Sequence, residues 1–121
     1  PGTDSPGAAS VAAMGEANGF DGTSPFAPES YDAAALIMLA MQAAGSSSSA
    51  DYKSKIIDVA NAPGVKILPG ELAKGLKILA DGGEIDYVGG SAVELIGPGE
   101  SAGAYRQIEM KDGKITTVKY R

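Results

Sequence analysis

Residues 24–45 constrain the fold more than any other part of the chain. Prolines precede a run of strong helix formers, so a helix is expected to begin near Pro28 or Ser30. Gly45 stands where a helix-terminating glycine belongs. Residues 33–41 contain no polar side chain, and a helix that is apolar all round is buried on more than one side. The pattern therefore predicts a central helix, too short for the roughly 20 apolar residues of a membrane span.

The composition narrows the class of protein. A chain of 121 residues forms one ordinary domain or part of a larger one. Its net charge of −5 and the lack of a basic stripe argue against a nucleic-acid partner. The chain has no Cys and no His, which removes thiolate metal sites, cysteine nucleophiles and the commonest general base. It starts at Pro1 without a signal peptide, so we expect a processed, trimmed or partial product.

Helical periodicity predicts three further helices around the central one. Residues 7–20 form a modest helix weakened by internal glycines, and residues 50–61 and 69–82 form two more. The serine tract 46–49 is either a flexible linker or a short loop whose last Ser caps the next helix. Residues 65–68 are apolar and extended, which gives an α/β fold with its helices in the first two thirds.

The clearest β signal lies at the end of the chain. Residues 92–96 have the pattern of a strand, and residues 105–111 and 114–120 flank the pair Asp112-Gly113, which a two-residue type I′ turn prefers. The turn fixes the register of a C-terminal hairpin, with four facing pairs: Met110 with Ile115, Ile108 with Thr117, Tyr105 with Tyr120, and Gln107 with Val118.

The sequence contains no complete catalytic motif. The glycine-rich residues 97–103 lack the spacing of a dinucleotide-binding loop, and a strand rather than a helix follows them. A serine triad cannot form without His. The closest carboxylate pairs, Glu29 with Asp32 and Glu84 with Asp86, sit at a helix terminus and in a turn, where carboxylates are usually solvated. The sequence therefore predicts a protein that is not an enzyme, with no metal and no cofactor.

The residues that carry a family resemblance begin with FDGTSPFAPESYDAA at positions 20–34. This segment resembles the one with the pattern P-Y/F-A-P-x-x-Y-D-A in the substrate-binding proteins of branched-chain amino acid and amide ABC transporters. The segments NAPG at 61–64, PGELAK at 69–74, IDYVG at 85–89 and KDGK at 111–114 follow in a similar order. From about residue 7 onward, the chain resembles the C-terminal third of such a protein.

The resemblance implies a partial type I periplasmic binding protein, whose two α/β lobes close on a ligand by hinge bending. Residues 1–90 would belong to the first lobe, and residues 91–121 would cross the hinge and add strands to the second. Phe26 and Tyr31 would line the ligand side-chain pocket, although both could instead simply anchor the helix N-terminus. The implied ligand is a branched-chain amino acid or a related small amide or carboxylate. The implied partner is an ABC permease, and the implied location is periplasmic, or extracytoplasmic with a lipid anchor in a Gram-positive organism.

The alternative is a self-associating structural or interaction module with no small-molecule ligand. In the family, Ser/Thr-rich loops of the N-terminal part hold the ligand's carboxylate and amino groups, so we expect this chain alone to bind free amino acid poorly. Nothing else in the chain is large enough to cover the central helix fully. A piece of two lobes exposes strand edges and an apolar helix face, so we expect an oligomer in isolation.

Overall fold

The computed structural model describes residues 2–121. It contains helices and short strands, which confirms the mixed α/β class. In the described residues there are five helices and six strands. In chain order the elements are α1 Pro6–Ala17, α2 Ala27–Ala44, α3 Ser49–Tyr52, α4 Lys55–Ala60, β1 Val65–Ile67, α5 Leu72–Ala80, β2 Ile85–Tyr87, β3 Leu95–Gly97, β4 Glu100–Ser101, β5 Arg106–Lys111 and β6 Lys114–Tyr120. None of the described helices is long and apolar enough to cross a membrane.

The core is a small parallel sheet covered by helices. Strands β1 and β2 are parallel and are connected through α5, as short parallel strands require a crossover. Helix α2 packs against α4 and α5, and its buried stripe contributes much of the core. The largest fully buried side chains of that core are Tyr87, Leu39, Ile67, Ile85 and Val59.

Helix α2 is buried on one side only, so the prediction that it is buried on more than one side is wrong for this chain. Its buried apolar stripe consists of Ala35, Leu36, Leu39 and Ala40. On the opposite side Ile37 is 39% exposed and Met38 is 45% exposed, because the rest of the chain supplies only one layer against α2. The expectation that nothing else in the chain covers this helix fully is confirmed.

One of the glycines that weaken helix α1 has a packing role. Ser5 caps its N-terminus by accepting a hydrogen bond of 3.3 Å from the backbone N–H of Ala8. Gly15 is buried, and a Cβ there would run into the backbone of Gly22 in the following loop. The glycine that lowers the helix propensity therefore lets this loop pack directly on the helix.

The segment between α2 and β1 is ordered by local hydrogen bonds. The helix predicted over residues 50–61 is split into α3 and α4. The Ser46 hydroxyl donates to the Asp51 carboxylate at 2.6 Å, which supports a short loop rather than a flexible linker. The predicted cap is wrong, because the last Ser of the tract, Ser49, already lies in α3, and Ser48 at the N-cap makes no side-chain cap hydrogen bond.

The strand predicted at 92–96 is observed only as Leu95–Gly97, because a turn closed by the Val93 N–H on the Val88 carbonyl at 3.0 Å, with Ala92 at a φ of 53°, occupies the preceding residues. Asn61 exchanges two side-chain hydrogen bonds with the backbone of Leu95.

The C-terminal hairpin confirms the predicted turn and half of the predicted register. Asp112 and Gly113 both have positive φ, at 51° and 74°, as a type I′ turn requires. Met110 faces Ile115 and Ile108 faces Thr117, as predicted. The other two predicted pairs are wrong, because β6 carries a one-residue bulge beyond Thr117. The bulge shifts the partners by one residue, so Gln107 faces Lys119 and Tyr105 pairs with Arg121.

Candidate functional site

The N-terminal part of α2 lies across the carboxyl ends of both parallel strands. The Tyr31 hydroxyl accepts a hydrogen bond of 3.1 Å from the backbone N–H of Gly70, in the loop after β1. The neighbouring residue, Asp32, binds the loop after β2. In open α/β sheets, ligands bind in the crevice outside the carboxyl ends of the strands. A ligand site is therefore expected at this end of the sheet.

Asp32 is a buried carboxylate with four hydrogen-bond donors. It is 2% exposed. One oxygen accepts from the Tyr87 hydroxyl at 2.9 Å and the Gly90 N–H at 2.7 Å, and the other accepts from the N–H and hydroxyl of Ser91 at 2.7 and 2.5 Å. The expectation that this carboxylate is solvated is wrong, because these donors replace the water that burial removes. Asp32 thus positions the loop after β2 and has no free lone pair aimed at a ligand.

The loop after β2 packs closely against Asp32. Burial raises the pKa of the Tyr87 phenol, and the negative charge of Asp32 raises it further. Gly89 has φ of 66°, and a Cβ there would run into the Asp32 carboxylate. We call the contact of Asp32 with Tyr87, Gly90 and Ser91 the Asp32 clamp.

A cleft of about 380 Å³ opens beside the start of α2. It is lined by the N-terminal segment 2–5, one side of α1, the loop 22–26, the first turn of α2, and Arg106 and Tyr120 of the hairpin. We call it the hairpin-base cleft. Its volume is in the range of small-molecule sites. It brings apolar, aromatic and cationic side chains from two parts of the chain to one place.

Phe26 is the most unusual residue of this cleft. Its φ of 67° and ψ of 2° lie in the left-handed region, which is uncommon for a bulky side chain. It occupies the N-cap of α2, where Ser, Thr, Asp and Asn are preferred, and it makes no side-chain cap bond. The side chain is 62% exposed, so burial does not explain why an aromatic residue stands at this N-cap. A strained, exposed aromatic residue at a cleft points to a function.

Glu29 is a second cleft residue, and sequence reasoning placed no ligand there. It lines both the hairpin-base cleft and a neighbouring pocket of about 180 Å³ that also includes Ser91. Its Oε2 atom is buried and has no hydrogen-bond partner among the described residues. The available signal was its position three residues after Phe26, where a capping-box Glu normally reaches back to the N-cap N–H.

The two residues predicted to bind the ligand lie in different surroundings. Phe26 lines the hairpin-base cleft. Tyr31 is partly buried, packs against the core and is not among the residues that line the cleft. Its bond to Gly70 agrees with the alternative that it anchors the helix N-terminus. The structure therefore brings Phe26 together with Glu29 and Arg106, and not with Tyr31.

A wider depression of about 530 Å³ lies at the amino ends of β1 and β2, between α4 and the residues that precede β2. Three charged residues line it: Lys55 and Asp58 form an ion pair at 3.3 Å, and Glu84 adds a single further carboxylate. Among residues 2–121, no group of three acidic side chains is placed to hold a metal ion. Apart from its ion pair, this depression offers one carboxylate, whereas the hairpin-base cleft offers both an acidic and a cationic side chain and is therefore the stronger candidate.

Comparisons with protein-family models, with curated proteins and with solved structures return no match to this chain. The family resemblance therefore rests only on the sequence segments that carry it.

Proposed function

We propose that this chain is part of an extracytoplasmic solute-binding protein that captures a branched-chain amino acid, or a related small amide or carboxylate, for an ABC importer. The observation that carries the proposal is Phe26, which is held in a strained backbone conformation and exposed in a cleft. An aromatic residue without a packing role is well suited to cover an aliphatic ligand side chain. No covalent chemistry is required, so the protein is proposed to act without catalysis.

The cleft is lined by two acidic residues and one basic residue, Asp4, Glu29 and Arg106, and this mixed set fits a zwitterionic or amide ligand. The Arg106 guanidinium can donate two hydrogen bonds to a carboxylate or amide oxygen. The unpartnered Oε2 atom of Glu29 can accept from an ammonium or amide group. A small ligand with both groups would satisfy both side chains while its apolar part contacts Phe26.

The arrangement of the chain supports the finer fold proposal, a partial type I periplasmic binding protein. Residues 1–90 would form the first-lobe portion, built on the parallel strands, and residues 91–121 would cross towards a second lobe. Near the cleft, the Gly2 N–H donates to the Ala104 carbonyl at 3.1 Å, so two chain segments run side by side between the α/β part and the hairpin. The proposed partner is an ABC permease, and the proposed location is periplasmic or otherwise extracytoplasmic.

A leucine titration followed by amide chemical shifts tests the proposal. We expect weak, saturable binding in the millimolar range, with the largest shifts at Phe26, Glu29 and Arg106. Phe26→Ala should weaken binding about tenfold, because the contact between the aromatic ring and the ligand side chain is lost. Phe20→Ala is the matched control, since Phe20 is similarly exposed on the same loop but does not line the cleft. Equal shifts with leucine and with a neutral sugar, or no shifts, would contradict the proposal.

A second candidate function is a self-associating module. The observation that favours it is the C-terminal hairpin, in which every residue of both strands is exposed.

A further inference from the structure

The C-terminal hairpin has one apolar face that nothing in the described chain covers. Alternation along β5 and β6 puts three large apolar side chains on one side, which we call the apolar hairpin face: Ile108, Met110 and Ile115. At the base of the hairpin, Arg106 and Tyr120 continue this side and line the hairpin-base cleft. Met110 is 70% exposed and Ile115 is 64% exposed. The opposite side holds Gln107, Glu109 and Lys111 with their polar partners. A two-stranded hairpin is marginally stable in water by itself, so this face calls for a partner surface.

The charge of the hairpin indicates what kind of surface that is. Residues 105–121 carry five basic and two acidic side chains, for a net charge of +3. Residues 1–104 carry five basic and thirteen acidic side chains, for a net charge of −8. Two hairpins placed face to face would repel each other, whereas a hairpin is attracted to the acidic part of another copy.

The acidic part presents a matching apolar surface on α2. Ala33, Ala34, Ile37 and Met38 are exposed on the side that faces away from the core, and we call them the α2 outer face. The helix contains no basic residue, and its two charged residues, Glu29 and Asp32, are acidic. Its 18 residues extend about 27 Å, which accommodates the roughly 20 Å of a six-residue strand. A helix laid on a sheet face is a standard way to bury both.

We propose that two copies of this chain associate reciprocally, with the apolar hairpin face of each copy packed on the α2 outer face of the other. One such contact involves only three or four side chains from each copy, far fewer than the 20 to 30 residues per side of a stable interface. A two-fold arrangement makes the contact twice and brings the neighbouring surfaces together. The proposal develops the self-association candidate and is independent of solute binding, since the two are measured by different experiments.

Sedimentation velocity over a range of concentrations tests the association. We expect a monomer–dimer equilibrium that weakens as salt screens the opposite charges. Met110→Thr with Ile115→Thr keeps the strand propensity but removes the apolar face, and it should raise the dimer Kd about tenfold or more. The matched control is Gln107→Thr with Thr116→Ser on the polar face, which should leave Kd within about threefold. Circular dichroism checks that each variant keeps its helices.

A second pair of variants tests the α2 surface. Ile37→Lys removes an apolar side chain and places a positive charge opposite the basic hairpin, so it should also raise Kd about tenfold. Ala17→Lys adds the same charge at an exposed position of α1 and should leave Kd unchanged within about threefold.

Mixing the hairpin variant with the Ile37→Lys variant separates the reciprocal arrangement from its alternatives. Each variant alone has lost both contacts, whereas the mixed dimer keeps one intact hairpin against one intact helix. The mixture should therefore associate more tightly than either variant alone. A chain that stays monomeric at all concentrations, or a dimer that either variant leaves unchanged, would overturn the proposal, as would a mixture that shows no gain.

Discussion

Asp32 and Phe26 lie six residues apart and have opposite relations to their surroundings. Asp32 is buried, and both of its carboxylate oxygens accept hydrogen bonds from the last residue of β2 and the loop after it. Phe26 is exposed and breaks two local preferences, those of backbone angle and of helix capping. Positions where a sequence violates local rules without a structural gain are where function is expected. At the scale of single residues, Asp32 serves the fold and Phe26 serves the proposed binding site.

Phe26→Asn separates the two roles of this position. Asn tolerates the left-handed conformation and caps a helix, so we expect the free energy of unfolding to rise by about 1 kcal/mol. The same change should weaken leucine binding about tenfold, as in Phe26→Ala, because the aromatic ring is lost. Urea unfolding and the leucine titration measure the two effects. Phe20→Asn is the control and should change neither, whereas a clear loss of stability in Phe26→Asn would show that the ring serves packing.

At the scale of elements, the Asp32 clamp joins α2 to the end of β2. Its hydrogen bonds to Tyr87, Gly90 and Ser91 span 55 to 59 residues of sequence. The burial that raises the pKa of Tyr87 is a property of this junction rather than of either element alone. Stability at high pH therefore reports on the clamp.

Tyr87→Phe should make the protein less sensitive to alkali. The ordinary tyrosine pKa is about 10, and the folded state holds the pKa of Tyr87 above that value. Below pH 10 both states keep the proton; above it the unfolded state releases the proton first, so stability falls as pH rises. The wild-type free energy of unfolding should then drop more steeply than that of the variant, by up to about 1.4 kcal/mol per pH unit.

Urea unfolding at a series of pH values between neutrality and strong alkali measures this difference. At neutral pH the variant should be about 2 kcal/mol less stable, because a hydrogen bond to a buried carboxylate is lost. Tyr105→Phe removes an exposed hydroxyl group and controls for the substitution itself. Parallel pH dependences for the wild type and Tyr87→Phe would contradict the assigned role of the clamp.

The sequence predicts the elements better than it predicts their contacts, for a physical reason. Gly45 ends α2 and Asp112-Gly113 turns the hairpin because these effects act over a few residues. The bulge in β6 left no local signal, and it displaced half of the predicted register. The burial of Asp32 depends on donors more than 50 residues away, so its position near a helix N-terminus suggested solvation instead.

The candidate site was predictable only in part. Phe26 was singled out by a family resemblance, and it does line a cleft. Tyr31 was singled out by the same resemblance and lies outside that cleft, bonded to the loop after β1. Glu29 and Arg106 come from the two ends of the chain, and only the folded arrangement brings them to one surface.

At the scale of the whole molecule, the chain has an acidic α/β part and a basic hairpin that projects from it. The hairpin-base cleft lies where these two parts meet, so a ligand there would contact both. Such a position is suited to a protein that closes on a solute by moving one part against the other. We propose that the solute lies against Phe26 in this cleft.

Isotope-filtered nuclear Overhauser measurements with labelled leucine test that claim most directly. They detect which protein protons lie close to the methyl groups of the bound ligand, even when binding is weak. We expect contacts from the leucine methyl groups to the ring protons of Phe26 and none to those of Phe20. Two results would contradict a solute position against Phe26. One is contacts confined to the depression at the amino ends of β1 and β2, which Ile57 lines. The other is an absence of contacts at a leucine concentration that saturates the shifts.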